Sequence, residues 1–231
     1  MTAIEPELLA IPAGCALLSV PERSASFSLP YRWPHPREVF VSAFYLGARH
    51  STRAEYEIFL KETGHDHPVD WNDPALADAH LPVCGVSACD ADAYVEWLRS
   101  VTGKPYRLPR ADEWEYAARG GITGARFPWG DEPPDGRCCF GGSLADSPVP
   151  AGRFPANAFG LFDMVGNAWQ WLAEKYADIA DGQSQHSPPA GHRVLVGGSF
   201  MTTNTDCLWL AYRHDDPPDL RHRCLGFRLA L

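Results

Sequence analysis

The chain has 231 residues, 45% of them hydrophobic and 12% aromatic, enough to bury one full core. Its net charge of −9, with Lys and Arg unclustered, excludes an electrostatic binder of nucleic acid or of an anionic membrane, because phosphate contacts need gathered cations. The acidic start over residues 1–9 offers no basic region ahead of an apolar run, and no segment approaches the roughly 18 apolar residues of a membrane span, so a cytoplasmic protein with a single domain over 1–231 is expected.

Leu8 to Val20, with Ile11-Pro12-Ala13-Gly14 inside it, reads as a first hairpin, and the Pro- and Ser-rich stretch 21–36 as loop. Val39 to Leu46 reads as one buried strand. Thr52 and Glu55 form a capping box for a first helix that places Tyr56, Phe59 and Leu60 on one face and stops at Gly64. His65-Asp66-His67 has two imidazoles beside an acid, but with no further ligand at fixed spacing it reads as solvated loop rather than a zinc or copper site. A second helix, about Asp90 to Val101, buries Ala91, Tyr94, Val95 and Leu98 and ends at Gly103. A third begins near Pro109, turns Trp114, Ala117 and Ala118 inward and ends before Gly120, with Glu113 and Glu115 pointing in different directions. Two or three helices set among short strands and long connections make a loop-rich α+β fold. The seven cysteines, odd in number and without CxxC spacing, encode neither a disulfide framework nor a plain zinc site, and most read as small buried hydrophobes.

The C-terminal thirty-five residues carry the functional interest. Gly197-Gly198-Ser199-Phe200 suggests backbone in tight approach, and the polar stretch from His214 to Cys224 suggests an exposed loop between two buried strands. Strand alternation places Leu208, Leu210 and Tyr212 on one face and Trp209, Ala211 and Arg213 on the other, with Trp209 nearer a cleft. Trp209 and Tyr212 are candidate ligand contacts, since aromatics dominate binding hot spots, and beside Leu208, Leu210 and Ala211 they read equally as core. Ser199 lies without a His and an acid fixed beside it by local spacing, so it is a candidate contact rather than a nucleophile.

Several stretches, in this order, resemble the formylglycine-generating enzyme, or sulfatase-modifying factor, family: Tyr106 to Arg119, Phe127-Pro128-Trp129-Gly130-Asp131, Asn157 to Trp171, and Gly197-Gly198-Ser199 with Gly226-Phe227-Arg228. The resemblance implies a fold related to C-type lectins. It also implies an activity in which two cysteines hold Cu(I), activate O2 and oxidise a cysteine of a sulfatase precursor to formylglycine, with separate Ca2+ sites stiffening the loops.

Two departures bear on that activity. Where the family's first cysteine belongs this chain has Thr202; Cys207 falls on the second counted forward, and Thr205 takes that place counted back from Arg213 and Gly226. Cu(I) is soft and a Thr hydroxyl is a poor substitute for a thiolate, so copper is not expected, and Cys207 is a catalytic candidate only if an oxidase persists; Cys224, His214 or His222 are the available replacement ligands. The resemblance also places Ca2+ ligands at the Gly-Asn-x-Trp-Glu-Trp motif, here Asn167 and Gln170, where an amide stands for the carboxylate and weakens any Ca2+ site. No cofactor is certain.

Non-enzymatic relatives, including the variable proteins of diversity-generating retroelements, resemble a frame that this chain fits through Arg213, Pro218, Asp219, Arg221 and Leu225 to Arg228. The frame's variable positions are His214, Asp215, Asp216, Pro217, Leu220, His222, Arg223 and Cys224, and every one is reachable from an AAC codon by changing adenines. The expectation is a protein or small-molecule ligand taken up on this loop, with Pro218, Asp219 and Arg221 shaping the turn and Arg221 pairing an acid. The alternatives left open are a divergent O2- or metal-dependent oxidase using Cys207 and a variable protein of a retroelement.

Overall fold

The computed structural model describes residues 5–19, 36–141, 147–179 and 189–231. Strands β1 (Leu8–Ile11) and β2 (Gly14–Leu18) are followed by β3 (Arg37–Val41) and β4 (Phe44–Gly47). Helices α1 (Arg53–Thr63), α2 (Ala88–Thr102) and α3 (Ala111–Arg119) come next, then β5 (Trp169–Lys175), the one-turn α4 (Tyr176–Ile179), β6 (Arg193–Val196), β7 (His214–Asp216) and β8 (Leu225–Gly226).

The three long helices form for the reasons their sequence gives. Thr52 accepts from the Glu55 N–H while the Glu55 carboxylate accepts from the Thr52 N–H, and Gly64 closes α1 in the left-handed conformation. Ser87 and Asp90 repeat the reciprocal cap on α2, with Gly103 closing it. Pro109 precedes α3, whose Trp114, Ala117 and Ala118 are fully buried.

The N-terminal strands differ from expectation. β1 and β2 do not pair with each other; β1 pairs with β4 and β2 with β3, both antiparallel. The two ladders share one register, Ile11 opposite Phe44 and Gly14 opposite Val41, so they are halves of a single ribbon bent where Pro12-Ala13 faces Ser42-Ala43. Proline offers no N–H to the ladder, which is why the ribbon breaks there and why Ile11 to Gly14 is a kink and not a hairpin turn. The expected single buried strand is likewise split at Ser42-Ala43, and Phe40 is 66% exposed. The expected loop at 21–36 lies outside the described residues except for Pro36.

A four-stranded sheet, in the order β7-β6-β5-β8, makes the platform for the C-terminal segment; β8 runs parallel to β5 and the other neighbours are antiparallel. The last residues return to the start, with Gly47 N–H donating to Leu229 O at 2.8 Å and Arg107 and Ala230 exchanging backbone hydrogen bonds. Two apolar clusters fill the interior, one around Trp114, Leu172 and Trp209, the other around Tyr56, Tyr94, Trp171 and Phe227. All seven cysteines are free thiols, and Cys84, Cys138, Cys139 and Cys224 are buried.

Candidate functional site

The segment from Gly197 to Gly226 is laid down by two left-handed glycines. Gly197 and Gly198 have φ of 89° and 69°, and a Cβ on Gly198 would stand 2.5 Å from Leu208 Cδ2. Ser199 is fully buried. Its N–H donates to Thr202 Oγ1 at 2.9 Å, and its Oγ accepts from the Met201 N–H at 3.2 Å. Thr202 therefore uses its hydroxyl to close a turn. Thr205 to Leu208 is a short 3₁₀ turn, capped by the Asn204 side chain on the Asp206 N–H.

That turn overturns the expected alternation. Leu208, Trp209, Leu210, Ala211 and Tyr212 are all buried, because a 3₁₀ turn and the bend after it rotate successive side chains inward from different sides. Trp209, expected near a cleft, is 4% exposed in the core, with the Arg126 guanidinium 5.6 Å from its ring centre. Tyr212 is 2% exposed and sits 6.1 Å from the Trp169 ring.

Beneath the segment lies a buried charge cluster on Glu115, which is fully inaccessible. Its Oε1 accepts from Arg119 Nη2 at 2.6 Å and from the Ser19 N–H at 2.7 Å, and its Oε2 accepts from Arg213 Nη2 at 2.5 Å. Arg213 also donates to Leu210 O at 2.7 Å and Tyr212 O at 3.0 Å, fixing the corner where the loop leaves the core. Glu115 thus serves the scaffold, while Glu113 pairs with Arg107 on another side of α3, as their spacing implied.

Past that corner the predicted contact residues divide. Asp215 is buried and its Oδ2 meets His192 Nδ1 at 2.7 Å. His214 and Asp216 flank it, half-buried, with His214 Nε2 3.3 Å from Asp216 Oδ2 and the His214 ring 5.4 Å from Trp169. Leu220 is 38% exposed and His222 is exposed. Arg223 reaches Asp73 at 3.0 Å. Cys224 is buried, with its Sγ 3.0 Å from His222 Nδ1, and burial pushes the thiol up to about 11 despite its hydrogen bond with Ser199. Arg221 pairs an acid, as expected: Nη2 lies 2.5 Å from Asp90 Oδ1 and Nε 2.7 Å from Oδ2. His65 joins the same carboxylate at 2.7 Å, and the His67 ring tilts against Trp71 at 5.7 Å. Among the described residues no three His, Cys, Asp or Glu side chains converge as a metal site.

The donor sets for the family's metals can be tested on these contacts. For the copper dithiolate, the Thr202 hydroxyl already accepts a backbone N–H, and the half-buried Cys207 thiol is pushed up by burial, with a hydrogen bond to Tyr212 opposing. One thiol and one engaged hydroxyl do not fit a soft two-thiolate ion. For Ca2+, Asn167 spends both amide atoms on Val149, accepting its N–H and donating to its carbonyl, each at 2.9 Å. Gln170 Oε1 accepts from Trp114 Nε1 at 2.8 Å and Arg228 Nε at 2.7 Å, while its Nε2 donates to Met164 O at 3.0 Å. Oxygens already capped by donors, one of them a guanidinium cation, do not fit an ion that needs six to eight free ones.

Sequence reasoning did not find Asp90, Trp169 or His192 as partners of this segment. Each lies far along the chain from its contact, and no local spacing announces it.

Comparison with known proteins agrees with the fold. Residues 2–231 match the Sulfatase-modifying factor enzyme 1-like domain. The chain is 32% identical over 221 residues to the serine/threonine-protein kinase pkn1 of Chlamydia caviae, covering 85% of this chain and 34% of that one. It is 37% identical over 171 residues to the formylglycine-generating enzyme of Streptomyces coelicolor, covering 64% of this chain and 52% of that protein. The chain therefore spans about a third of the kinase and half of that enzyme. Among solved structures, PvdO from Pseudomonas aeruginosa superposes with a TM-score of 0.77 at 25% identity over 97% of this chain and 94% of that one. Treponema denticola variable protein 1 superposes with a TM-score of 0.75 at 22% identity, over 96% of this chain and 94% of that one, and so shares the fold. The chain belongs to the sulfatase-modifying factor, or formylglycine-generating enzyme, family, with its C-type-lectin-like α+β fold.

Proposed function

We propose that this chain is a recognition or accessory module of the family and not a copper oxidase, and that it takes up a protein or small-molecule ligand on the segment between Arg213 and Gly226. The observation that carries the reading is at Thr202: a hydroxyl that accepts the Ser199 N–H stands where the first thiolate belongs, leaving Cys207 as the one thiol of the turn. The recognition face is His214, Asp216, Leu220, His222 and Arg223, all at least partly exposed, on backbone fixed from below by Arg213 on Glu115 and Arg221 on Asp90. A rigid scaffold under adaptable side chains favours binding, because little ordering entropy is left to lose. A mouse relative, 36% identical over 168 residues, is named an inactive formylglycine-generating enzyme, which supports the loss of chemistry within this fold.

The test is incubation of the reduced protein with Cu(I), O2 and a Cys-x-Pro-x-Arg peptide, with the peptide read by mass spectrometry. The expected result is unchanged cysteine; formylglycine in the product sinks the reading and restores the oxidase centred on Cys207.

A second reading, a protein diversified by a retroelement, is supported by the fit of the frame and by the full or partial exposure of six of its eight variable positions. Asp215 and Cys224 count against it, being buried where diversification would damage packing. It predicts a neighbouring reverse transcriptase gene and a template copy of the C-terminal coding region.

A further inference from the structure

A cleft of about 400 Å³ opens beside the Phe127–Asp131 turn, walled by Pro128, Trp129, Gly136, Pro155 and Ala156. Trp129 is held in place there. Its ring stacks on Phe127 at 5.2 Å and 10°, and its Nε1 donates to Glu132 O at 3.0 Å. Behind this cleft, and sharing Pro128, Trp129, Arg137, Pro155 and Asn157 with it, lies a chamber of about 20 Å³ lined by Asp163.

Asp163 is 8% exposed, and its Oδ2 has no hydrogen-bond partner among the described residues. A buried oxygen left without a donor costs about 1–3 kcal/mol, more when it is charged, so such an atom calls for an explanation. Burial pushes the Asp163 carboxyl up to about 6, opposed by the Arg228 charge and a side-chain hydrogen bond with Asn167, while Arg228 also donates to the Asp163 backbone oxygen at 3.1 Å. At the mouth, Arg137 is already paired with Glu132, and Asp135 adds a negative charge. The result is an aromatic and proline-walled cleft with an acidic rim and a donor-hungry oxygen at its end.

We propose that this cleft binds a primary organic ammonium, its –NH3+ head in the chamber against Asp163 Oδ2 and its apolar body on Trp129 and the flanking prolines. The size fits: a chamber of about 20 Å³ admits one water-sized group and nothing larger. The chemistry fits as well, since an ammonium has donors only, matching an oxygen that lacks one, and is attracted to an aromatic face. A bare divalent cation is the poorer match, because no three acidic or imidazole side chains converge among the described residues. The site shares no residue with the C-terminal segment and stands whatever that segment binds.

The test is an NMR titration of the ¹⁵N-labelled full chain with benzylamine at neutral pH, followed at the Trp129 indole N–H, which Trp129→Phe assigns. Benzyl alcohol and CaCl2 are titrated in parallel. Benzylamine is expected to give a saturable shift, with benzyl alcohol at least about tenfold weaker, the loss of one charge-assisted contact. Asp163→Asn is expected to weaken benzylamine by a similar factor; Asn accepts the positive φ of 49° that Asp163 adopts, so the backbone is kept. Equal binding of benzyl alcohol, no saturable shift, or unchanged affinity in Asp163→Asn overturns the proposal, and a saturable CaCl2 shift that displaces benzylamine replaces it with a metal site. If Asp163→Asn does not fold, the comparison of amine with alcohol on the unaltered protein decides.

Discussion

Arg221 lays its guanidinium along the Asp90 carboxylate, 2.5 Å and 2.7 Å from the two oxygens, and so ties the C-terminal segment to the first turn of α2, 131 residues earlier. The same carboxylate caps the helix through Ser87 and holds His65. One acid therefore joins helix start, loop and C-terminal segment.

Arg221→Ala should lower stability by about 1–3 kcal/mol, because Asp90 is buried and loses its strongest donors while keeping its cap. Thermal denaturation by circular dichroism measures this. Limited proteolysis should cut the variant first between Arg213 and Gly226, and an unchanged melting temperature would remove the pair from the scaffold.

Acid should unfold the protein partly through this group. Burial raises the Asp90 pKa, but Arg221, Ser87 and His65 outweigh it and hold the carboxyl at about 2, below its ordinary 3.8. A depressed folded pKa contributes stability above the unfolded value that is lost as pH falls through the folded one, here between about 4 and 2. Asp90→Asn should therefore show a shallower fall in melting temperature than the unaltered chain across that window, and parallel curves contradict the assignment.

Gly198→Ala should cost about 1–3 kcal/mol, since the added methyl meets Leu208 Cδ2 at 2.5 Å on backbone with φ of 69°. Chemical denaturation reads the loss as a lower midpoint at unchanged slope.

Leu220→Ala and His222→Ala should each stay within about 0.5 kcal/mol of the unaltered chain, because both side chains are exposed and only His222 makes a hydrogen bond, a weak one to the Cys224 sulfur. Set beside Arg221→Ala, they separate the exposed face of the segment, proposed above for recognition, from its support; a loss as large as that of Arg221→Ala would make them scaffold too.

The helices were legible because their signals are local: Thr52 with Glu55, Gly64, Gly103 and the spacing of Trp114, Ala117 and Ala118 all lie within a few residues of what they cap or bury. The pairing of β1 with β4 was not, since a kink at Pro12 and a turn there look alike until the partner strand is known. Leu208 to Tyr212 misled for a related reason: five apolar residues satisfy a strand pattern, yet the chain turns as a 3₁₀ helix over Thr205–Leu208 and bends after it, and every one is buried. At the site, that Thr202 carries no thiol is plain in the sequence, whereas the saturation of Gln170 by Trp114 and Arg228 depends on residues 56 and 58 positions away.

The central claim, that the family's copper chemistry is absent here, is tested most directly by titrating the reduced protein with Cu(I) against a competing chelator, beside Cys207→Ser. The expected result is no tight one-to-one binding, or weak binding that the substitution leaves unchanged. Tight stoichiometric binding abolished in Cys207→Ser would contradict it and return the chain to the oxidases of its family.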